Sequence, residues 1–353
     1  YIWTQSSLGN TAAIYANGDL NLVLQGTSTV HNPDAVTARI VKNAYGIYIY
    51  GNLNISGNGT LNVSSDTVES GACYGIYSIN NMTISENVTI NAIANDSVNA
   101  HTTYGIFCNG TVTIQNYASV SATGGEISGT SYDSRNSKGL ALDHLIVKDD
   151  AKLNATGRSA NAGHASSVGI ELRSSLISMT ISNNANVIAK GGSTGSNGSY
   201  GIYSSSDYSS GSLTVNGGNL TAISSSSTWV SAGIYMRGNI NINGGTVISS
   251  GGRGNNSSYG IYSHENNITI NNSTVVATAG EITCNISNAI RVREGKSISI
   301  DLNSIVVAKA TAVNASALSI DTSGIISGSY NGKIAVIGDS SLYKVLAGSL
   351  DLT

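Results

Sequence analysis

Apolar side chains recur along the chain in short alternating runs: Leu53/Ile55, Met82/Ile84, Val112/Ile114, Leu145/Val147, Met179/Ile181, Leu213/Val215, Ile240/Ile242, Ile268/Ile270 and Ile298/Ile300. A period of two predicts strands with one buried face. A further strand follows each run at a nearly constant offset, led by Leu61, Val88, Val120, Leu153, Val187, Leu220, Val247, Val275 and Ile305. Ahead of the runs stands a tetrapeptide: Tyr45-Gly-Ile-Tyr48, Tyr74-Gly-Ile-Tyr77, Tyr104-Gly-Ile-Phe107, Tyr200-Gly-Ile-Tyr203 and Tyr259-Gly-Ile-Tyr262. Degenerate copies begin at Ala12, Lys138, Val168, Ala232 and Asn288. From Ile47 to Ile290 the spacing of the copies is 27 to 34 residues, the range of repeat architectures.

Three short strands per repeat predict an all-β fold, a right-handed parallel β-helix (β-solenoid) of about ten rungs of ~30 residues. Propeller blades need four antiparallel strands and a longer period, and leucine-rich repeats need a consensus that this chain lacks. The turn between the second and third strands is short, as in Asn216-Gly-Gly and Asn243-Gly-Gly, where Asn and Gly tolerate positive φ. The turn after the third strand varies in length. The array is expected to span residues 1–329, with Val313, Leu318/Ile320 and Ile325 in a final rung. Residues 330–353 are expected to cap it or pair with a neighbour. Leu20, Leu22 and Leu24 begin a strand early, which leaves little chain for an N-terminal cap.

Composition narrows the function classes. Of 353 residues, 41 are glycine, 18 tyrosine and one proline, and 10% are charged, with a formal net charge of −3. No basic stripe could neutralise phosphates, so nucleic acid is not an expected partner. No apolar run reaches the roughly 18 residues of a membrane-spanning helix. Cys73, Cys108 and Cys284 are too few for a disulfide framework and lack metal-ligand spacing; they read as free thiols, with a bond to a neighbouring subunit as the alternative.

Stretches such as Ala13-Ile-Tyr-Ala-Asn-Gly-Asp-Leu-Asn-Leu-Val-Leu-Gln-Gly-Thr27 and Gly238-Asn-Ile-Asn-Ile-Asn-Gly-Gly-Thr-Val247 resemble repeats of large cell-surface proteins of anaerobic prokaryotes. These are the adhesin-like or carbohydrate-binding type with a pectin-lyase-like β-helix. The resemblance implies an extracellular, cell-surface location and, in some members, polysaccharide and calcium binding. Here Tyr-Gly stands where acidic versions of the repeat carry Asp-Gly, so no metal or other cofactor is expected.

With the tetrapeptide Ile facing inward, the next residue should face outward, building a ladder of Tyr15, Tyr48, Tyr77, Phe107, Tyr203, Tyr235 and Tyr262, interrupted by Ala141 and Glu171. Such a ladder could stabilise the sheet, pack against another subunit, or stack on sugar rings. The tyrosines before glycine (Tyr45, Tyr74, Tyr104, Tyr200, Tyr259) share the parity of the Ile and are expected in the core or at a corner. Possible N-glycosylation sequons start at Asn54, Asn58, Asn81, Asn87, Asn109, Asn154, Asn197, Asn267 and Asn285; asparagine ladders are the alternative. A lyase would need clustered carboxylates and a base. The densest charged stretch, Asp143/His144 with Lys148, Asp149 and Asp150, reads as solvated strand and turn, and Arg291, Arg293 and Glu294 as surface ion pairs.

The expected function is therefore a structural or adhesive extracellular β-solenoid, a self-assembling fibre or sheath-like subunit and not an enzyme. Self-association would be end to end or lateral. The alternative is a carbohydrate-binding module that grips an extended polysaccharide through the aromatic ladder.

Overall fold

The computed structural model describes residues 9–32, 42–68, 71–97, 100–129, 135–161, 163–204, 211–281, 286–293, 295–301 and 303–310, and the backbone of 3–5, 315–320, 325–327 and 334–337. Cys284, Asn285, Glu294 and Val313 lie outside these residues. The described chain is all strand and turn, a parallel β-solenoid with rungs of about 30 residues that matches the right-handed β-helix expected. Its strands form a 12-stranded and an 18-stranded sheet. Tetrapeptide strands stack in the first, from Asn10–Ala16 through Asn43–Ile49 and Ala72–Ser78 to Ala315–Ile320, while the second and third strands of each rung share the other. No helix of the described residues is long and apolar enough to cross a membrane.

Inward positions stack like on like. Ile47 pairs with Ile76 and Ile76 with Ile106, and all three are buried with the second-strand pairs Leu53/Ile55, Met82/Ile84 and Val112/Ile114. One rung alone could not bury these side chains; stacking at about 4.8 Å does so on both sides. Fully burying each such aliphatic contributes roughly 1.5–3 kcal/mol. At the corner where the third strand ends, an inward hydroxyl ties down the next loop. Ser167 Oγ accepts from Gly192 N at 2.7 Å, Ser199 Oγ from Ser225 N at 2.9 Å, and Ser258 Oγ from Gly280 N at 2.8 Å.

Three strand leaders differ from expectation by register. Ile90, not Val88, pairs with Leu61 and Val120. Val306 takes the inward place beside Val275, while Ile305 is 45% exposed, and Ile326 rather than Ile325 pairs with Ile298. Strand Ile334–Ile337 continues the parallel ladder beyond residue 329 by pairing with Val306–Lys309. In four rungs the second and third strands run on as one, for example Leu53–Ser64 and Ser212–Ile223. Whether or not the two strands run on as one, the corner between them turns on a residue at positive φ, as at Gly57 (106°), Glu86 (66°), Asn116 (62°), Asp149 (63°), Asn183 (61°), Gly217 (82°) and Asn272 (46°). Asparagine and glycine tolerate this conformation readily. Glu86 is less suited to it; its carboxylate, like that of Asp149, accepts a backbone N–H of the preceding rung, from Gly57 at 2.7 Å and Asn116 at 3.2 Å.

At the N-terminal end, Trp3–Gln5 adds antiparallel to Asn10–Ala12, a short edge cover that the sequence pattern did not foretell. Cys73 and Cys108 are fully buried, and burial pushes their thiols up to about 12 and about 11. Neither can reach a neighbouring subunit from inside the rungs. Both should resist a thiol-alkylating reagent in the native chain at pH 8 and react only on denaturation, which intact-mass measurement would read. Rapid native labelling of either would contradict this packing.

Candidate functional site

The first-sheet strand contains a local irregularity that decides where its aromatic side chains go. Every rung-to-rung pairing of these strands skips the glycine: Tyr45 pairs with Tyr74 and Ile47 with Ile76, with no Gly46–Gly75 pair between them. A Cβ on Gly105 would press into the backbone of Ala122, Thr123 and Gly139, so glycine and the following Ile both point inward. Two successive inward positions reset the alternation. The residue before glycine and the residue after Ile therefore share the outer face. Tyr45 and Tyr48 have ring centroids 4.8 Å apart. The core or corner placement expected of Tyr45, Tyr74, Tyr104, Tyr200 and Tyr259 is corrected accordingly: they form a second outward column beside the expected one.

In the N-terminal half the pre-glycine column is face-stacked, and the other column only in part, since Tyr48 and Tyr77 meet at 5.1 Å and 63°. Tyr45–Tyr74 and Tyr74–Tyr104 lie at 4.8 and 4.9 Å with interplanar angles of 6° and 2°, and Tyr77–Phe107 at 4.9 Å and 4°. Between columns Tyr74–Tyr77 and Tyr104–Phe107 meet edge on, both at 5.0 Å, at 86° and 80°, whereas Tyr45–Tyr48 stack at 24°. Each aromatic pair contributes about 0.5–1.5 kcal/mol beyond its buried area. Ring spacing equals rung spacing, so the faces are spent on one another and ring edges point outward. Cations close the open end of the stack: Lys138 Nζ lies 5.4 Å from the Tyr104 centroid and the Arg173 guanidinium 4.3 Å from that of Phe107. Tyr15 and Tyr48 sit at 5.4 Å, tilted by 40°.

The C-terminal half is less regular because Ala232 interrupts the pre-glycine column between Tyr200 and Tyr259. Tyr200–Tyr203 stack at 4.4 Å, Tyr203–Tyr235 tilt at 49°, and Tyr235–Tyr262 meet at 90°. The Arg291 guanidinium lies 5.3 Å from the Tyr262 ring and donates to Tyr259 Oη at 3.2 Å. Arg291 thus lies against the aromatic stack; Glu294, with which ion pairing was expected, lies outside the described residues. Burial, then the Arg293 and Arg237 charges, hold the His264 imidazole below its ordinary value against the pull of Glu265. Phe107 and Tyr262 are 7% and 6% exposed, whereas Tyr15, Tyr48, Tyr77, Tyr203 and Tyr235 are half-buried.

Between the two aromatic blocks lies a buried ion pair that sequence reasoning missed, Lys138 Nζ–Glu171 Oε2 at 2.7 Å. Lys138 continues the pre-glycine column and Glu171, one rung on, the other column. Burial alone would lower the Lys138 ammonium, but the Glu171 carboxylate together with Tyr104 outweighs it and holds the group above its ordinary value. Burial likewise pushes up the phenols of Tyr45, Tyr74, Tyr77, Tyr200 and Tyr235, and Tyr48 up to about 12, with neighbouring tyrosines adding to the effect. The signal for the Lys138–Glu171 pair was present as opposite charges at the two outward positions of consecutive tetrapeptide copies.

The sequon asparagines take outward and turn positions. Asn54, Asn58, Asn81, Asn87, Asn109, Asn154 and Asn267 are exposed and Asn197 is half-buried. Several also form asparagine ladders: Asn54 Nδ2 donates to Asn21 Oδ1 at 2.8 Å, and Asn87 Nδ2 to Asn58 Oδ1 at 3.0 Å. In the charged stretch, burial raises the Asp143 carboxyl against Arg173 and His144, while Asp149 and Asp150 accept from Asn183 and Asn184 in the turn. Among the described residues no three His, Cys, Asp or Glu side chains gather closely enough to hold a metal ion. Comparison with protein families, curated proteins and solved structures returned no match to this chain.

Proposed function

We propose that this chain is an extracellular structural or adhesive rod that self-assembles into a surface fibre or sheath. The observation that carries this reading is the face-to-face stacking of Tyr45, Tyr74 and Tyr104 and of Tyr77 and Phe107. Rings used in this way stiffen the outer face and present edges, a geometry suited to a rod and poorly suited to stacking on sugars. Exposed sequons such as Asn81 and Asn267 suit a secreted glycoprotein, and the resemblance to prokaryotic cell-surface repeats points to the same location. The reading includes no chemical step.

The second reading, an extended polysaccharide bound along the aromatic side, is favoured by one feature. The Ala232 gap leaves Tyr203 and Tyr235 tilted and half-exposed beside Arg237. Electron microscopy of the purified chain over a concentration series separates the two. Ordered filaments or sheets are expected. Dispersed rods at every concentration, combined with saturable binding to a soluble polysaccharide that is lost in Tyr203→Ala/Tyr235→Ala, would replace the first reading by the second.

A further inference from the structure

The outer face of the third strands changes character partway along the solenoid. One outward position, followed from rung to rung, reads Asn62, Asn91, Ser121 and Asn154, then Ile188, Thr221, Ile248, Val276 and Val307. In the first part Asn91 Nδ2 donates to Asn62 Oδ1 at 2.8 Å, so the polar column partly satisfies itself. In the second part the side chains are aliphatic apart from Thr221, and Ile223 and Ile305 widen the stripe on either side. Ile248 and Ile305 are 42% and 45% exposed, and the other members are half-buried among their neighbours in the sheet. The remaining flank positions are polar, Asn186, Asn219, Thr246 and Thr274 on one side and Lys190, Ser250, Thr278 and Lys309 on the other. An apolar stripe inside a polar rim is the make-up of an interface.

A second copy of the same face fits this stripe. Its side chains repeat at the same spacing of about 4.8 Å, so two stripes can interdigitate along their length, as facing sheets do at about 10 Å. Five rungs at about 4.8 Å and a strand of about six residues at about 3.3 Å give roughly 500 Å² per copy, hence roughly 1,000 Å² for the pair, the size at which specific interfaces begin. Charge selects the orientation. With the rods antiparallel about Ile248, Lys190 would face Lys309 of the second copy at both edges, and like charges so placed repel. With the rods parallel, related by a two-fold axis along them, the flanks exchange. Lys190 then faces Asn186 of the second copy, and Lys309 faces Ile305, over which its aliphatic stem can lie.

We infer that two copies of this chain pack side by side and parallel through the stripe from Ile188 to Val307; this rests on the self-assembly reading and names its lateral contact. Each rung meets the same rung of the second copy, so Ile188 faces Ile188 and Ile248 faces Ile248. Such an isologous contact closes at two rods and doubles the width of the fibre.

The test uses the full chain in sedimentation velocity and electron microscopy over a concentration series, comparing wild type, Ile248→Lys, Ile248→Glu, an equimolar mixture of these two variants, and Ser121→Lys. All three substitutions are at outward positions and leave the core intact. Wild type and Ser121→Lys, which changes the polar part of the same column, are expected to form particles two solenoids wide. Ile248→Lys and Ile248→Glu alone should need at least about tenfold higher concentration, because each sets like charges against one another at the centre of the pair. Their mixture should return to the wild-type range. Mild oxidation of Ile188→Cys should give covalent pairs beyond any in wild type, since only the parallel orientation brings the two positions together.

Ile248 variants that associate like wild type, a mixture that fails to recover, or filaments only one solenoid wide would overturn the lateral inference and leave self-assembly standing on another surface. Absence of the Ile188→Cys cross-link would overturn the parallel orientation. Wild type that stays a single rod at every concentration would overturn both this inference and the self-assembly reading.

Discussion

Replacing Lys138 by Ala should destabilise the solenoid by about 3–5 kcal/mol, because the Glu171 carboxylate would be left buried without its counter-charge. The pair is 2.7 Å apart with side chains 11% and 7% exposed, so water cannot easily take the place of the ammonium. Desolvating two ions is itself costly, and the pair as a whole need not add stability. The double variant Lys138→Met/Glu171→Leu should accordingly recover most of the loss, to within about 1–2 kcal/mol of wild type. Denaturant unfolding of wild type, Lys138→Met, Glu171→Leu and the double variant would give the coupling. A Lys138→Ala protein as stable as wild type would mean that Glu171 is solvated and that the aromatic blocks are not joined through a dry gap.

A second large effect is expected at alkaline pH. Burial, reinforced by the neighbouring phenols, raises Tyr45, Tyr74, Tyr77, Tyr200 and Tyr235 above their ordinary value, and the more exposed Tyr48 up to about 12. Above pH about 10 the unfolded chain releases these phenolic protons while the native chain holds them. The unfolded state then binds fewer protons, so stability falls as pH rises. The stabilising contribution is complete below pH about 10 and is lost upward through the folded values. The raised Lys138 ammonium acts in the same direction. Each withheld proton costs about 1.4 kcal/mol per pH unit, so a few such phenols together come within the 5–15 kcal/mol of a typical domain over about two units. Tyrosinate absorbance from these residues should therefore rise together with the collapse of the β-sheet far-UV signal. Smooth ionisation beneath an unchanged far-UV spectrum would show that the ladder is open to solvent.

Much of this was legible in the chain before any coordinates. Alternating pairs such as Met82/Ile84 and Val112/Ile114 repeat at a near-constant spacing, and a repeated pattern can satisfy its buried face only by stacking on its copies. The outward course of Tyr48, Tyr77 and Tyr235 was legible too, since a residue next to a buried Ile on a strand faces the other way. Simple alternation failed at the tyrosines before glycine. It cannot count across a glycine that shares the inward side with its neighbour, and the missing Gly46–Gly75 pairing is what puts Tyr45 beside Tyr48.

The sequence by itself determined the period, the inward columns and the presence of strands, because these depend on the order of apolar and polar residues along one rung. Only the tertiary structure decided what the outer columns do, because that depends on contacts between residues about 30 positions apart. Tyr74 stacks flat on Tyr104 because parallel register brings identical side chains together at the spacing of a ring stack. Lys138 finds Glu171 because the two columns lie side by side across consecutive rungs.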